Sequence, residues 1–272
     1  IGIINKKLSL YMCYDGGYTQ KRSVNNLYSD HHVQDHIFHV KQNDIRKRNS
    51  FINNFLFDAN FSCGKKSSLS FSYILQEELP KVNSFAITDV NTKSQNSNLF
   101  ARTPTWLHNA NLSFLHNNME LGTNVTLYAQ KENQLLEKTE ENKIDETYKQ
   151  NSNKYEVYMN GEKLIMGGNF TFGIKGYIVS TSSKKKYAIG ESSDDFLSFV
   201  QKEQTAQFHM GYRHSLSKKG FLNISLGTEY FHSTYAKNHE HEKSLWSQWQ
   251  IYPSLTCVYR PTSRSVLQLS LN

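Results

Sequence analysis

Histidine and aspartate side chains crowd one short polar stretch near the start of the sequence, which contains Asp30, His31, His32, Asp35, His36 and His39. Imidazole and carboxylate groups are common ligands of transition metals. We therefore predict a candidate metal site formed by His32, His36 and His39. The alternative is a solvated loop in which histidines carry no ligand, because no helical pattern places the three on one face.

A second set of chargeable or strongly polar residues lies farther along the chain, at His209, Arg213, Glu229 and Gln250. Each falls between apolar residues that alternate along an extended segment, so all four belong to the polar side of that segment. We predict that they line a ligand path on a polar surface.

Sequence motifs of the common enzyme classes are absent. The chain contains no GxSxG, no HExxH, no P-loop and no dinucleotide-binding fingerprint. The formal charge is +7, but the basic residues are scattered and no nucleic-acid-binding signature accompanies them. We therefore predict that the protein is not an enzyme, needs no cofactor and binds no nucleic acid.

In the segments that must position these residues, apolar and polar residues alternate with a period of two. Leu69, Phe71, Tyr73 and Leu75 alternate with mostly polar residues, as do Leu222, Ile224, Leu226 and Tyr230 with their neighbours. Such alternation is typical of a strand whose two faces meet different environments. Although the mean hydropathy is −0.63, 13% of the residues are aromatic, which favours strands over disorder.

The lengths of the alternating segments point to a membrane. Roughly eleven strands of about 11 to 13 residues are predicted, whereas a tilted strand needs about 9 to 11 residues to cross a bilayer. Short turns, including one at Lys175-Gly176, alternate with long polar loops that we place at 21–50, 77–103, 132–154, 184–204 and 233–247. This layout predicts an all-β, antiparallel up-and-down meander that forms part of a transmembrane β-barrel with a polar interior.

The hairpins resemble the C-terminal β-barrel of TonB-dependent outer-membrane receptors. The resemblance covers essentially the whole chain, residues 1–272, as one barrel segment, and it rests on repeated hairpins, of which the clearest are 51–73, 103–130 and 208–231. Full barrels of this family have 22 strands around a plug domain. The resemblance thus implies that this chain is a fragment, with the plug domain and the remaining strands absent.

The resemblance also implies a location and a set of partners. It places the chain in the outer membrane of a Gram-negative bacterium, in a receptor that transports a siderophore, glycan or peptide nutrient. The implied partners are outer-membrane lipid, a plug domain, TonB-type energy coupling, the nutrient and a surface lipoprotein. Pairing with plug residues is then a second role for His209, Arg213 and Glu229. The alternative is a soluble or surface-exposed all-β binding or adhesion module whose aromatics form an internal core.

Overall fold

The computed structural model describes residues 2–5, 7–33, 36–91, 93–139, 142–189, 192–217, 219–238, 240–262 and 265–271. It is all-β. The described strands are β1 (Gly2–Ile4), β2 (Leu8–Val33), β3 (His36–Gly64), β4 (Ser67–Val90), β5 (Lys93–Arg102), β6 (Thr105–His116), β7 (Met119–Thr139), β8 (Asn142–Ile165), β9 (Gly168–Ile189), β10 (Ser192–Ser217), β11 (Gly220–Lys237), β12 (Lys243–Thr262) and β13 (Ser265–Leu271). No helix in these ranges is long and apolar enough to cross a membrane.

The strands form one antiparallel sheet in which strands that follow each other along the chain pair, apart from β5 and β6. β5 and β6 together occupy one strand position in the sheet, because both pair with β4 on one side and with β7 on the other. We call each strand position of the sheet a lane. A short break at Thr103-Pro104 separates β5 from β6. The sheet thus has twelve lanes, and the predicted meander of roughly eleven strands is confirmed.

Most of the described strands are much longer than the predicted 11 to 13 residues. β2 has 26 residues and β3 has 29, and they stay paired residue by residue from Leu8 opposite Phe61 to Val33 opposite His36. The prediction of a long loop at 21–50 is therefore wrong. Most of the other segments predicted to be loops are likewise paired strands that extend the hairpins. Their polar composition indicates solvent on both faces, which does not prevent backbone pairing.

One predicted short turn is also wrong. Lys175 and Gly176 lie in the middle of β9, opposite Gln207 and Ala206 of β10. The turn between β8 and β9 is instead at Met166 and Gly167, which have φ angles of 48° and 73°. Two successive positive φ angles are typical of the tight turn that suits the twist of a hairpin. Because the turn is at Met166-Gly167, Lys175 lies within the strand, on the polar face of the sheet.

The two faces of the sheet remain separate across all lanes. Directly opposite residues share a face, and following the register from Ser72 leads in turn to Asn111, Asn124, Glu156, Tyr177 and Thr205. This polar face is continuous. The apolar side chains occupy the other face, which carries Phe71 at 37% exposure, Leu121 at 58% and Val157 at 61%.

A closed hydrophobic interior is not present in the described ranges. The hydrophobic residues that are buried there are Val82, Ala86, Ala101 and Val258, all small, whereas many of the large apolar side chains are exposed. Polar-face residues are less exposed: Gly122, Glu156 and Thr205 are buried. This difference indicates that the polar face is concave and the apolar face convex, as in the wall of a wide barrel. We call these faces inner and outer.

The sheet is open within the described ranges. β1 pairs with β2 over three residues, β13 pairs with β12, and the two terminal strands do not pair with each other. Unpaired backbone groups at such edges cannot be accommodated in hydrocarbon. Both edges therefore require further pairing in a membrane.

Aromatic and polar groups meet on the outer face near the long-hairpin end. Asn53 accepts a hydrogen bond from Tyr14 Oη at 2.7 Å and donates one to Glu77 at 2.9 Å. The indole N–H of Trp106 donates to the other oxygen of Glu77 at 2.9 Å. Farther along the same face, on β11 and β12, Tyr230 packs on Trp249 with a centroid separation of 5.0 Å. Amphipathic aromatics in this position are typical of a membrane–water boundary.

The assignment of faces predicts a difference between two adjacent residues of β11. Leu226 faces outward and Ser225 inward. We expect Leu226→Lys to destabilise the bilayer-embedded protein by about 2–4 kcal/mol, since a lysine would enter hydrocarbon near the midplane. Ser225→Lys should cost much less. Urea unfolding of the full protein in lipid bilayers measures both, and equal losses would contradict the assignment.

Candidate functional site: the inner face of the sheet

The four residues predicted to line a ligand path lie on the inner face. Glu229 is directly opposite Gln250 on β12 and Gln207 on β10, while His209 and Arg213 share the face of Gln207. The Gln207 amide donates a hydrogen bond to Glu229 Oε1 at 3.1 Å. The structure therefore brings Glu229 and Gln250 together in one row.

Arg213 and Glu229 do not meet. Arg213 lies six residues beyond Gln207, the partner of Glu229, toward the short-turn end, which is about 20 Å along a strand. Its guanidinium instead lies 4.1 Å from the centroid of the Phe221 ring, a cation–π arrangement. Arg213 and Glu229 therefore occupy two levels of the inner wall.

His209 is held over a glycine. Gly173 lies opposite both His209 and Asn160, and a Cβ atom there would collide with His209 Cε1 and lie 2.6 Å from Asn160 Oδ1. The missing side chain thus provides the space that the imidazole fills. His209 also borders an inward-facing hollow of about 600 Å³ together with Glu120, Asn160 and Thr171.

The most strongly interacting charges on the inner face are ones that the sequence analysis missed. Glu156 Oε2 lies 2.7 Å from Lys154 Nζ and 3.1 Å from Lys175 Nζ, and the glutamate side chain is only 9% exposed. Both ammonium groups also lie near the Tyr177 ring, at 4.7 and 5.8 Å from its centroid. This group, which we call the Glu156 cluster, has two cations for one carboxylate.

The sequence contains a signal for the Glu156 cluster, but the elements predicted from it separate the residues. Lys154 is at the end of the predicted loop 132–154, and Lys175 is in a predicted turn. Continuing the alternation of Tyr155, Val157 and Met159 on β8 would have placed Lys154 and Glu156 on the polar side. The mutual approach of the two lysines depends on the β8–β9 register, which the sequence does not specify.

The Glu156 cluster is joined to the predicted residues by one row of register partners. The row crosses β7 to β12 and consists of Gly122, Tyr158, Lys175, Gln207, Glu229 and Gln250. Its side chains are hydrogen-bond donors and acceptors, apart from Gly122, over which the Tyr158 ring lies. Such a surface can bind polar or charged groups without chemical conversion.

The predicted histidine site is described only in part. His39 Nδ1 lies 2.7 Å from Asp30 Oδ1, and both side chains are well exposed, at 70% and 60%. The side chains of His32 and His36 lie outside the described residues. Where side chains are described, no group of three or more His, Cys, Asp or Glu residues is arranged to hold a metal ion. Metal binding by His32, His36 and His39 stays a prediction.

Comparison with known proteins identifies the fold. No family model matches the sequence, and no curated protein matches it. Among solved structures, the unliganded ferric citrate transporter FecA has a TM-score of 0.52 at 10% identity, over 98% of this chain and 44% of its own. The ferric yersiniabactin uptake receptor FyuA from Yersinia pestis has a TM-score of 0.51 at 8% identity, over 92% and 44%.

A third receptor of similar size matches equally well. The alcaligin outer membrane receptor FauA from Bordetella pertussis has a TM-score of 0.50 at 9% identity, over 98% of this chain and 43% of its own. The chain thus spans less than half the length of the proteins it matches. Its fold is that of the β-barrel wall in outer-membrane receptors, as the hairpin pattern predicted.

The Glu156 cluster leads to a prediction about stability. Glu156→Gln would leave two lysines facing each other, and we expect it to destabilise the bilayer-embedded protein by about 1.5–3 kcal/mol, the range for hydrogen bonds to charged groups. Lys175→Met should cost less, because Lys154 still pairs with the carboxylate. A double-mutant cycle by urea unfolding should show coupling between the two positions.

The matched control is Glu229→Gln, which removes a carboxylate from the same face but leaves no lysine of the Glu156 cluster unpaired. We expect a smaller loss for this variant. Additive effects of the Glu156 and Lys175 substitutions would mean that the ion pair contributes nothing measurable.

Proposed function

We propose that the chain is part of the barrel wall of a bacterial outer-membrane receptor that takes up a scarce nutrient by TonB-dependent transport. The observation that carries this proposal is the unbroken separation of a polar inner face from an exposed apolar outer face across twelve lanes. A soluble protein would have to cover that outer face. In a membrane the lipid covers it.

A ferric siderophore is the nutrient class that we favour. FecA, FyuA and FauA are described as a ferric citrate transporter, a ferric yersiniabactin uptake receptor and an alcaligin receptor. Because only 8–10% of residues are identical between this chain and these proteins, their names support a class of nutrient and not a particular ligand. Uptake of a glycan or of a peptide, in place of a siderophore, would identify one of the other two nutrient classes.

The orientation follows from the two ends of the sheet. Short turns such as Asn117-Asn118 and Met166-Gly167 close one end, and strands of up to 29 residues in total length extend to long hairpins at the other. Outer-membrane barrels have short periplasmic turns and long extracellular connections. The long hairpins therefore face the exterior, where they meet the ligand, and the inner face meets a plug domain and the passing nutrient.

The soluble binding module is the weaker alternative. It requires the aromatic side chains to form an internal core, whereas Phe71 and Trp249 are 37% and 66% exposed and the buried apolar residues of the described chain are few and small. Solubility of the full protein in plain buffer as a dispersed monomer would favour that alternative and contradict the receptor.

Uptake by living cells tests the proposal. We expect cells that carry the full receptor to accumulate a labelled ferric siderophore, and to lose accumulation but keep surface binding when a protonophore removes the energy source. Arg213→Gln and Glu229→Gln should lower the uptake rate if these residues line the ligand path. A heat-modifiable outer-membrane band without uptake of any siderophore, glycan or peptide would reject the transport function while keeping the barrel.

A further inference from the structure

Basic side chains surround one hollow of the inner face, at the short-turn end of β10 to β12. The hollow has a volume of about 450 Å³ and is lined by Arg213, Lys219 and Arg260, together with Phe221 and Val258, among others. Among the described residues that line it, none is acidic. We call it the basic hollow.

The three cations of the basic hollow come from three neighbouring parts of the wall. Arg213 is on β10, Lys219 is in the turn before β11, and Arg260 is on β12. The Arg260 backbone N–H donates to the Lys219 carbonyl at 2.6 Å, so the pairing of β11 with β12 extends to these two residues. By alternation, Lys219 shares the face of Phe221, and Arg260 shares the face of Val258. All three cations therefore face inward.

The Arg213 guanidinium is positioned by an aromatic ring. Its Cζ lies 4.1 Å from the centroid of the Phe221 ring, and such a contact stabilises the cation without a counter-charge. A guanidinium packed on a ring still has N–H groups at its edge, which can bind two oxygens of a carboxylate or phosphate. Phe221 thus orients Arg213 and leaves its donors available to a ligand.

Carboxylates of the described chain do not neutralise the two arginines. Neither Arg213 nor Arg260 forms an ion pair among the described residues. Glu162 comes near, because it accepts a hydrogen bond from Asn169 at the border of the basic hollow, but it lines the adjoining hollow of about 600 Å³ instead. The basic hollow therefore suits an anion from outside the described chain.

The size and the lining of the basic hollow narrow the class of that anion. A volume of about 450 Å³ falls within the range of small-molecule sites, about 300–1,000 Å³, and exceeds what one carboxylate side chain needs. Phe221 and Val258 add apolar surface beside the charges. A small molecule with several carboxylate or phosphate groups on a carbon framework matches this combination.

We propose that the basic hollow is an exit site, which binds a nutrient with several anionic groups at the periplasmic end of the inner face before its release. This inference rests on the proposed function, because the orientation given there places the short turns in the periplasm. Capture by the long hairpins takes place at the opposite end of the wall. The basic hollow therefore adds a second station and specifies a polyanionic nutrient.

Protection of arginines from phenylglyoxal tests the site in the full wild-type receptor. Citrate is the carboxylate probe, pyrophosphate is the phosphate probe, and glucose is the uncharged control. At low salt we expect citrate or pyrophosphate to slow the modification of Arg213 and Arg260, measured by peptide mass spectrometry. The modification of Arg22, an exposed outward residue toward the long hairpins, should not change. The probe that protects at the lower concentration identifies the anionic group.

The double variant Arg213→Gln and Arg260→Gln tests the affinity. Because two forked contacts to anionic groups are lost, calorimetry should show binding of the protecting probe weakened on the order of 10- to 100-fold at low salt. Binding to the wild type should itself weaken as salt rises, since the cations are exposed.

The charge-matched control is Lys65→Gln and Lys66→Gln, two exposed lysines in the turn between β3 and β4 at the same end of the sheet. It should retain wild-type affinity, which separates the basic hollow from an effect of net charge. Equal modification of Arg213 and Arg260 with and without both anions would overturn the proposal. This assay uses only the wild type, so it decides the question even where the double variant misfolds.

Failure of the exit site can be told apart from failure of the receptor proposal. A receptor that transports a nutrient but shows no protected arginine rejects only the exit site. A receptor whose arginines are protected but which transports nothing keeps the anion site and rejects the transport on which its role as an exit depends.

Discussion

The alternation of side chains about a continuous backbone ladder is the constraint on which this structure depends. In hydrocarbon every N–H and C=O must be paired within the protein, and in a strand successive side chains must point to opposite faces. A slip of one residue between any two lanes would turn a polar face toward lipid. The register nevertheless keeps Asn111, Asn124 and Glu156 on one face across β6, β7 and β8.

Charge follows the same division between faces. On the inner face, carboxylates and ammonium groups lie close together, as in the Glu156 cluster, because water and neighbouring polar groups stabilise them in a concave wall. On the outer face, the apolar residues give way toward the long hairpins to charged residues such as Glu77, Lys81 and Lys131. The environment on each side therefore explains where cations occur, while ion pairs form on both faces, as between the outward Lys202 and Glu242.

The longest runs of alternation were predictable, and the errors have physical reasons. β4 and β11 were predicted with the correct faces, and so was the shared inner face of His209, Arg213, Glu229 and Gln250. The turn at Lys175-Gly176 was wrong because a glycine in a strand was interpreted as a chain reversal. The sequence predicts loops for the arms of β2 and β3 because two polar faces show no contrast in hydrophobicity, although the backbones of these arms pair throughout.

By itself, the sequence determined an all-β meander with one apolar and one polar face, because the period of two is a local property of neighbouring residues. Only the tertiary structure decided which residues meet across lanes: the pairing of Glu156 with Lys154 and Lys175, the placement of His209 over Gly173, and the alignment of Lys131, Lys149 and Lys184. Those contacts depend on the register between strands. Hairpin turns and the summed hydrogen bonds of entire ladders set that register, and no single segment contains that information.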